Sequence, residues 1–147
     1  MKLVKHVLNI KGYSVWSVAP DDSVYDAVKL MADKQAGVML VLEAGKLVGI
    51  ISERDYARKV ILKGKASQET LVRDIMTSPV IYTAPDESIE QCMALMTERR
   101  IRHLPVLVDE RLIGIVSIGD LVKSIISDQK NLIQDLENFI LQHTSIT

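Results

Sequence analysis

Shifted by 65 positions, the chain reads over itself. Ala19-Pro20-Asp21-Asp22-Ser23-Val24 returns as Ala84-Pro85-Asp86-Glu87-Ser88-Ile89, and the stretch Gly49 to Asp55 returns as Gly114 to Asp120. From Val7 against Val72 to Ile61 against Ile126 the register runs without a gap and holds 17 identities in 55 pairs. Self-similarity of this kind signals one supersecondary unit made twice, and a unit too small to bury its apolar face alone packs against its copy. Such packing predicts clefts related by a pseudo-two-fold axis, and function is expected in them.

Each copy reads as strand, helix, strand, strand, helix, an α/β (α+β) unit. Val15, Trp16 and Val18 make a short extended run that ends at Ala19-Pro20, because proline disfavours helical geometry in the residue before it. Val24, Ala27, Val28 and Met31 then fall at helical spacing behind a cap drawn from Asp21, Asp22 or Ser23. The second copy repeats the stripe as Ile89, Cys92, Met93 and Met96, so Cys92 is expected as a small buried hydrophobe. Two apolar runs, Val38 to Leu42 and Leu47 to Ser52, form a hairpin, repeated as Leu104 to Val108 and Leu112 to Ser117. The closing helix carries Tyr56, Val60 and Ile61 in one copy and Leu121, Val122, Ile125 and Ile126 in the other. The expected organisation is a first domain over 7–62, a polar linker over 63–71, a second domain over 72–128 and a C-terminal helix over 129–147. That last helix continues the apolar stripe through Leu132, Ile133, Leu136 and Ile140, which would cap the body or seal a dimer.

Composition narrows the function. A chain of 147 residues, 48% hydrophobic, buries about two-thirds of its unfolded surface and holds together without staples. The single cysteine and three scattered histidines exclude a disulfide framework and a zinc site, and point to a reducing compartment. No apolar run spans a membrane and no leader is evident, so a soluble cytoplasmic protein with no membrane partner is expected. A net charge of −1 and 4% aromatic residues give neither the basic field nor the stacking platform for nucleic acid.

The residues left for chemistry lie where the last strand of each copy turns into a helix: Ser52 with Asp55, and Ser117 with Asp120. Ser-x-x-Asp is close to a capping box, so each pair has a purely structural role available to it. The same geometry, a hydroxyl and a carboxylate beside a helix N-terminus, also suits a ligand's vicinal hydroxyls and phosphate. Neither serine lies in a nucleophile elbow, and no histidine, metal cluster or phosphate loop accompanies it, so no catalytic residue and no catalytic cofactor are assigned.

The doubled unit, the Gly-x-apolar-Ser-x-x-Asp endings and the His103-Leu104-Pro105-Val106 stretch together resemble a tandem pair of cystathionine-β-synthase (CBS) domains, a Bateman module. The segments ERDYARKV after the first serine and VRDIMTSPV before the second copy resemble free-standing members of that class. The resemblance implies two pseudo-symmetric clefts for adenosine-containing ligands, AMP, ADP, ATP or NAD(H), in a module that commonly dimerises. Carried over, ribose falls to Ser52, Asp55, Ser117 and Asp120. The base falls to Val15, Trp16, Val38 and Met39 in one copy and to Val80, Ile81, His103, Leu104 and Pro105 in the other. Phosphate falls to Arg54, Arg58 and Lys59, and to Arg99, Arg100, Arg102 and His103. Because Gln35 to Val38 becomes Arg100 to His103, the clefts are expected to differ. The implied function is a sensor of energy or redox state that signals to an unknown partner in trans; the alternative is a dimerisation scaffold with no ligand.

Overall fold

The computed structural model describes residues 2–144. In chain order the elements are α1 (Val4–Lys11), β1 (Ser17–Val18), α2 (Val24–Lys34), β2 (Val38–Glu43), β3 (Lys46–Ser52), α3 (Glu53–Tyr56), α4 (Val72–Ile75), α5 (Ile89–Arg99), β4 (His103–Val108), β5 (Arg111–Ser117) and α6 (Ile118–Thr144). A π-helical turn, Ala57–Ile61, continues α3. β1, β2 and β3 form one sheet, with β1 parallel and β3 antiparallel to β2; β4 and β5 form a second, antiparallel pair.

The two helical stripes behave as the sequence predicts. Val24, Ala27 and Met31 of α2 and Ile89, Cys92 and Met96 of α5 are buried. Ser23 and Ser88 cap these helices, accepting from the backbone N–H of Asp26 at 3.0 Å and of Gln91 at 3.1 Å. Both hairpins turn on two residues of positive φ, Ala44-Gly45 and Asp109-Glu110, the twist that matches flanking strands. Cys92 sits in the core against the Thr83 hydroxyl, and burial pushes its thiol pKa up, as for an inert structural cysteine.

Two expectations need correction, and one arrangement has no counterpart in the sequence reading. The ungapped register fails at its start. Val72 and Arg73 donate their backbone N–H groups to Asp22 and Pro20, whereas the groups that donate to the matching residues Glu87 and Pro85 belong to Val4 and Lys5. The leading helices are therefore related by a shift of 68, since 72 − 4 = 68, and the first copy holds three additional residues before its opening run.

The arrangement without a counterpart in the sequence reading is the core that each leading helix serves. Val4, Val7 and Leu8 of α1 pack with α5, β4, β5 and Leu121, while Val72 and Ile75 of α4 pack with α2, β2, β3 and Val60. Each half is thus completed by the helix that precedes the other copy, which ties the halves together through two hydrophobic cores. The linker is correspondingly well anchored: the Thr70 hydroxyl donates to the Ala66 carbonyl at 2.7 Å, and Tyr25 N–H donates to the Ser67 carbonyl.

The other correction is that the second copy has no opening strand. Leu40 N–H donates to the Trp16 carbonyl in the first copy, but its counterpart is Pro105, which has no N–H to give. What remains is a single parallel bridge between Thr83 and Val106. The closing helix of the second copy, in contrast, does not stop. It runs as one helix of 27 residues, with Leu132, Ile133, Leu136 and Phe139 each more than half exposed. Residues 145–147 of the expected C-terminal helix lie outside the described residues.

Candidate functional site

Two clefts open where the halves meet. Cleft one, about 420 Å³, is lined by Ser52, Glu53, Arg54 and Asp55 from the end of β3 and the start of α3. Facing them are Val80, Ile81, Arg100, Arg102 and His103 from the second copy, with Thr77 and Pro79 between. Cleft two, about 270 Å³, combines Ser117 and Ile115 with Val15, Trp16, Gln35 and Val38 from the first copy and Lys11 from α1. Each cleft therefore takes its serine from one copy and its apolar wall from the other. Gly37, Val38 and His103 line both and form the wall they share.

Both serine and aspartate pairs form capping boxes. The Ser52 hydroxyl accepts from Asp55 N–H at 3.1 Å while Asp55 Oδ2 accepts from Ser52 N–H at 3.0 Å. The Ser117 hydroxyl accepts from Asp120 N–H at 3.1 Å, and Asp120 Oδ2 accepts from Ser117 N–H at 2.8 Å. Two backbone clamps hold these helix starts against the opposing loops, Glu53 N–H to the Gly37 carbonyl at 3.0 Å and Ile118 N–H to the Arg102 carbonyl at 2.8 Å. Each helix start is thus fixed to the beginning of the hairpin in its own copy.

The carboxylates differ in what else holds them. Asp55 Oδ1 accepts from the Thr77 hydroxyl at 3.3 Å and pairs with Lys59 Nζ at 3.2 Å, one turn along its own helix. Asp120 Oδ2 pairs with Lys11 Nζ at 2.6 Å, and Lys11 also donates to the Ile115 carbonyl at 2.7 Å. Burial alone would push the Asp120 carboxyl up, but the Lys11 ammonium and the Ser117 N–H outweigh it and leave the pKa below its ordinary value. His103 is also held low, by burial first and then by the Lys11 charge, which favours the neutral imidazole.

The expected base residues divide between the clefts and the interior. Val15, Trp16, Val38, Val80, Ile81 and His103 line the clefts, whereas Met39, Leu104 and Pro105 are buried and line neither. Met39 and Leu104 follow Val38 and His103, so they point to the opposite face, into the two cores. Among the expected phosphate residues, Arg54, Arg100 and Arg102 line cleft one, while Arg58 and Arg99 are exposed outside both clefts. Lys59 reaches only Asp55 and the Ile75 carbonyl. Lys11 and Thr77 were not anticipated. Thr77 was within sight, in the VRDIMTSPV segment; Lys11 was hidden because the ungapped register set it against Met76. Among the described residues no cluster has the makeup of a metal site, and no helix is long and apolar enough to cross a membrane.

Comparison with known proteins bears on this arrangement. The family model for the CBS domain matches twice, over residues 9–62 and 72–127. The mitochondrial CBS domain-containing protein CBSX3 of Arabidopsis thaliana is 41% identical over 147 residues, covering 93% of this chain and 71% of that protein. A putative signal-transduction protein with CBS domains from Burkholderia ambifaria superposes with a TM-score of 0.84 at 50% identity, covering 87% of this chain and 96% of that one. The CBS domain pair of protein MJ0100, solved with 5′-methylthioadenosine and S-adenosyl-L-methionine, superposes with a TM-score of 0.77 at 27% identity, covering 87% and 98%. With both copies matched and the two halves joined across shared clefts, the chain belongs to the CBS domain family, as a tandem pair.

Proposed function

We propose that this CBS pair is a non-catalytic regulatory module that binds adenine nucleotides, AMP, ADP, ATP or NAD(H), in the clefts between its halves and signals to a partner protein in trans. The observation that carries the reading is the composition of the clefts: in cleft one Ser52 and Asp55, at a helix N-terminus, face an apolar wall supplied by the other copy, and in cleft two Ser117 does so, with Asp120 outside the lining but bonded to Ser117 in its capping box. A ligand with a flat base and a ribose touches both copies at once, so its binding energy bears on the angle between them. The adenosine compounds bound by the pair of MJ0100 support the ligand class. Oδ2 of each aspartate is engaged in its cap, and the Ser52 and Ser117 hydroxyls turn from cap to ribose on binding.

The module acts as a homodimer in a reducing, cytoplasmic setting. The exposed stripe of α6, Leu132, Ile133, Leu136 and Phe139, is the kind of contiguous apolar patch that marks an interaction surface, and it suits a second copy. A thermal-shift panel of AMP, ADP, ATP, NAD, NADH and S-adenosylmethionine tests the reading. At least one compound of the panel raises the melting temperature by mass action, and the rise shrinks in Asp55→Ala or in Asp120→Ala according to the cleft that compound fills. A flat response to the whole panel overturns it in favour of a second reading, a dimerisation scaffold, which the fully formed capping boxes favour. In that case Asp120→Ala costs only the ~1 kcal/mol of a lost cap.

A further inference from the structure

We infer that the two clefts take different chemical forms of ligand, a phosphorylated nucleotide in cleft one and a phosphate-free nucleoside in cleft two. The inference rests on the reading of both clefts as adenosine sites and adds what sorts their occupants. The difference lies in how the cations around each cleft are already spent. Arg54, Arg100 and Arg102 line cleft one, and among the described residues none of the three is in an ion pair. The Asp55 carboxylate beside them is answered by Lys59, which leaves Glu53 as the one unpaired acid against three guanidinium groups. Guanidinium forks match phosphate oxygens in geometry as well as charge, so this rim suits a phosphate chain.

Cleft two has no arginine in its lining, and its one cation is taken. Lys11 spends two of its three N–H donors on Asp120 and the Ile115 carbonyl, at 2.6 and 2.7 Å. A phosphate entering there would have to break a close ion pair and would meet a neutral His103 rather than a second cation. The lining itself offers Trp16, an aromatic wall 45% exposed, whose ring already engages the Lys34 ammonium from outside the lining at 4.2 Å from the centroid. Volume agrees: about 270 Å³ falls just under the ~300–1,000 Å³ of ordinary small-molecule sites, whereas about 420 Å³ falls inside it. The source of the difference is the additional length of α1 past Leu8, since α4, which has no such overhang, delivers no lysine to cleft one.

Trp16 is the only tryptophan in the chain, so its fluorescence reports cleft two alone. The test uses the full-length protein with adenosine and ATP as probes, followed by calorimetry and by Trp16 emission. Adenosine is expected to change the emission saturably. ATP is expected to bind once per chain and leave the emission unchanged. In the double variant Arg100→Gln, Arg102→Gln the ATP affinity falls tenfold or more while the adenosine signal at Trp16 persists. The sorting is overturned if ATP fills two sites per chain and alters Trp16 as strongly as adenosine does. It is equally overturned if adenosine leaves Trp16 unchanged, or if the double variant binds ATP as wild type does. Silence from both probes in calorimetry overturns the adenosine reading itself, a result distinguishable from any of these.

Discussion

The two leading helices begin on one apolar frame, Val4, Val7 and Leu8 in α1 against Val72 and Ile75 in α4 and Met76 just past its end, and they diverge immediately after it. α1 has 8 residues and α4 has 4. Inside the frame every position is fixed by packing, because each helix completes the core of the opposite half. Past the frame the constraint lapses: Ile10 is 81% exposed, and the next residue, Lys11, reaches across to Asp120. A duplicated fold therefore has two kinds of freedom. Its buried frame stays symmetric, while the overhang beyond the frame is where one cleft acquires chemistry the other lacks.

The largest effect should come from breaking the frame. Leu8→Ala removes a fully buried side chain that packs within the second core and should cost about 2–5 kcal/mol in denaturant unfolding. Ile10→Ala, two residues on, should stay within ~0.5 kcal/mol of wild type. Equal losses at the two positions would mean that α1 does not belong to that core at all.

A smaller effect separates the matched glycines of β3 and β5. A Cβ on Gly114 would lie 2.9 Å from Cδ2 of Leu8, and one on Gly49 would press on the Sδ of Met76. Leu8 is branched and buried with no slack, whereas the unbranched Met76 thioether swings aside by bond rotation. Gly114→Ala should therefore lose about 1–3 kcal/mol and Gly49→Ala distinctly less, by thermal or denaturant unfolding. The reverse order would show that the two frames are not packed alike.

Helical spacing located the buried stripes, and paired apolar runs across a short turn located the hairpins, because both are local patterns that burial enforces. The register of the repeat was legible over the body of each copy for the same reason. It misled only at the leading helices, where Val7 and Val72 coincide at a shift of 65 although the backbone hydrogen bonds give Val4 the role of Val72, donating to Glu87 as Val72 donates to Asp22. Two chance identities, Val7 with Val72 and Ile10 with Ile75, closed a gap of three residues and with it concealed Lys11. The exchange of helices between halves leaves no mark in the sequence, since an amphipathic stripe shows that a face is buried and not against which neighbour. The missing strand of the second copy was legible in Pro105, whose absent N–H removes the bond that Leu40 makes, but only once the pairing partner was known.

The finest cut on the comparison is at the carboxylate the overhang reaches. Asp120 has its pKa lowered, the burial that would raise it being outweighed by Lys11 and the Ser117 N–H. A carboxyl whose folded pKa lies below its unfolded value of about 3.9 binds its proton more weakly in the folded protein. Its contribution to stability is then fully present above that unfolded value and drains away as pH falls from it toward the folded pKa. Lys11→Met removes the ammonium and leaves the burial, so the Asp120 carboxyl should titrate at higher pH, read by NMR of its side chain. The fall in melting temperature below about pH 4 should become shallower in the same variant. If Asp120 titrates identically in both proteins, the Ser117 amide alone sets its acidity. The lysine that distinguishes the two clefts would then contribute nothing to the charge balance on which their different ligands depend.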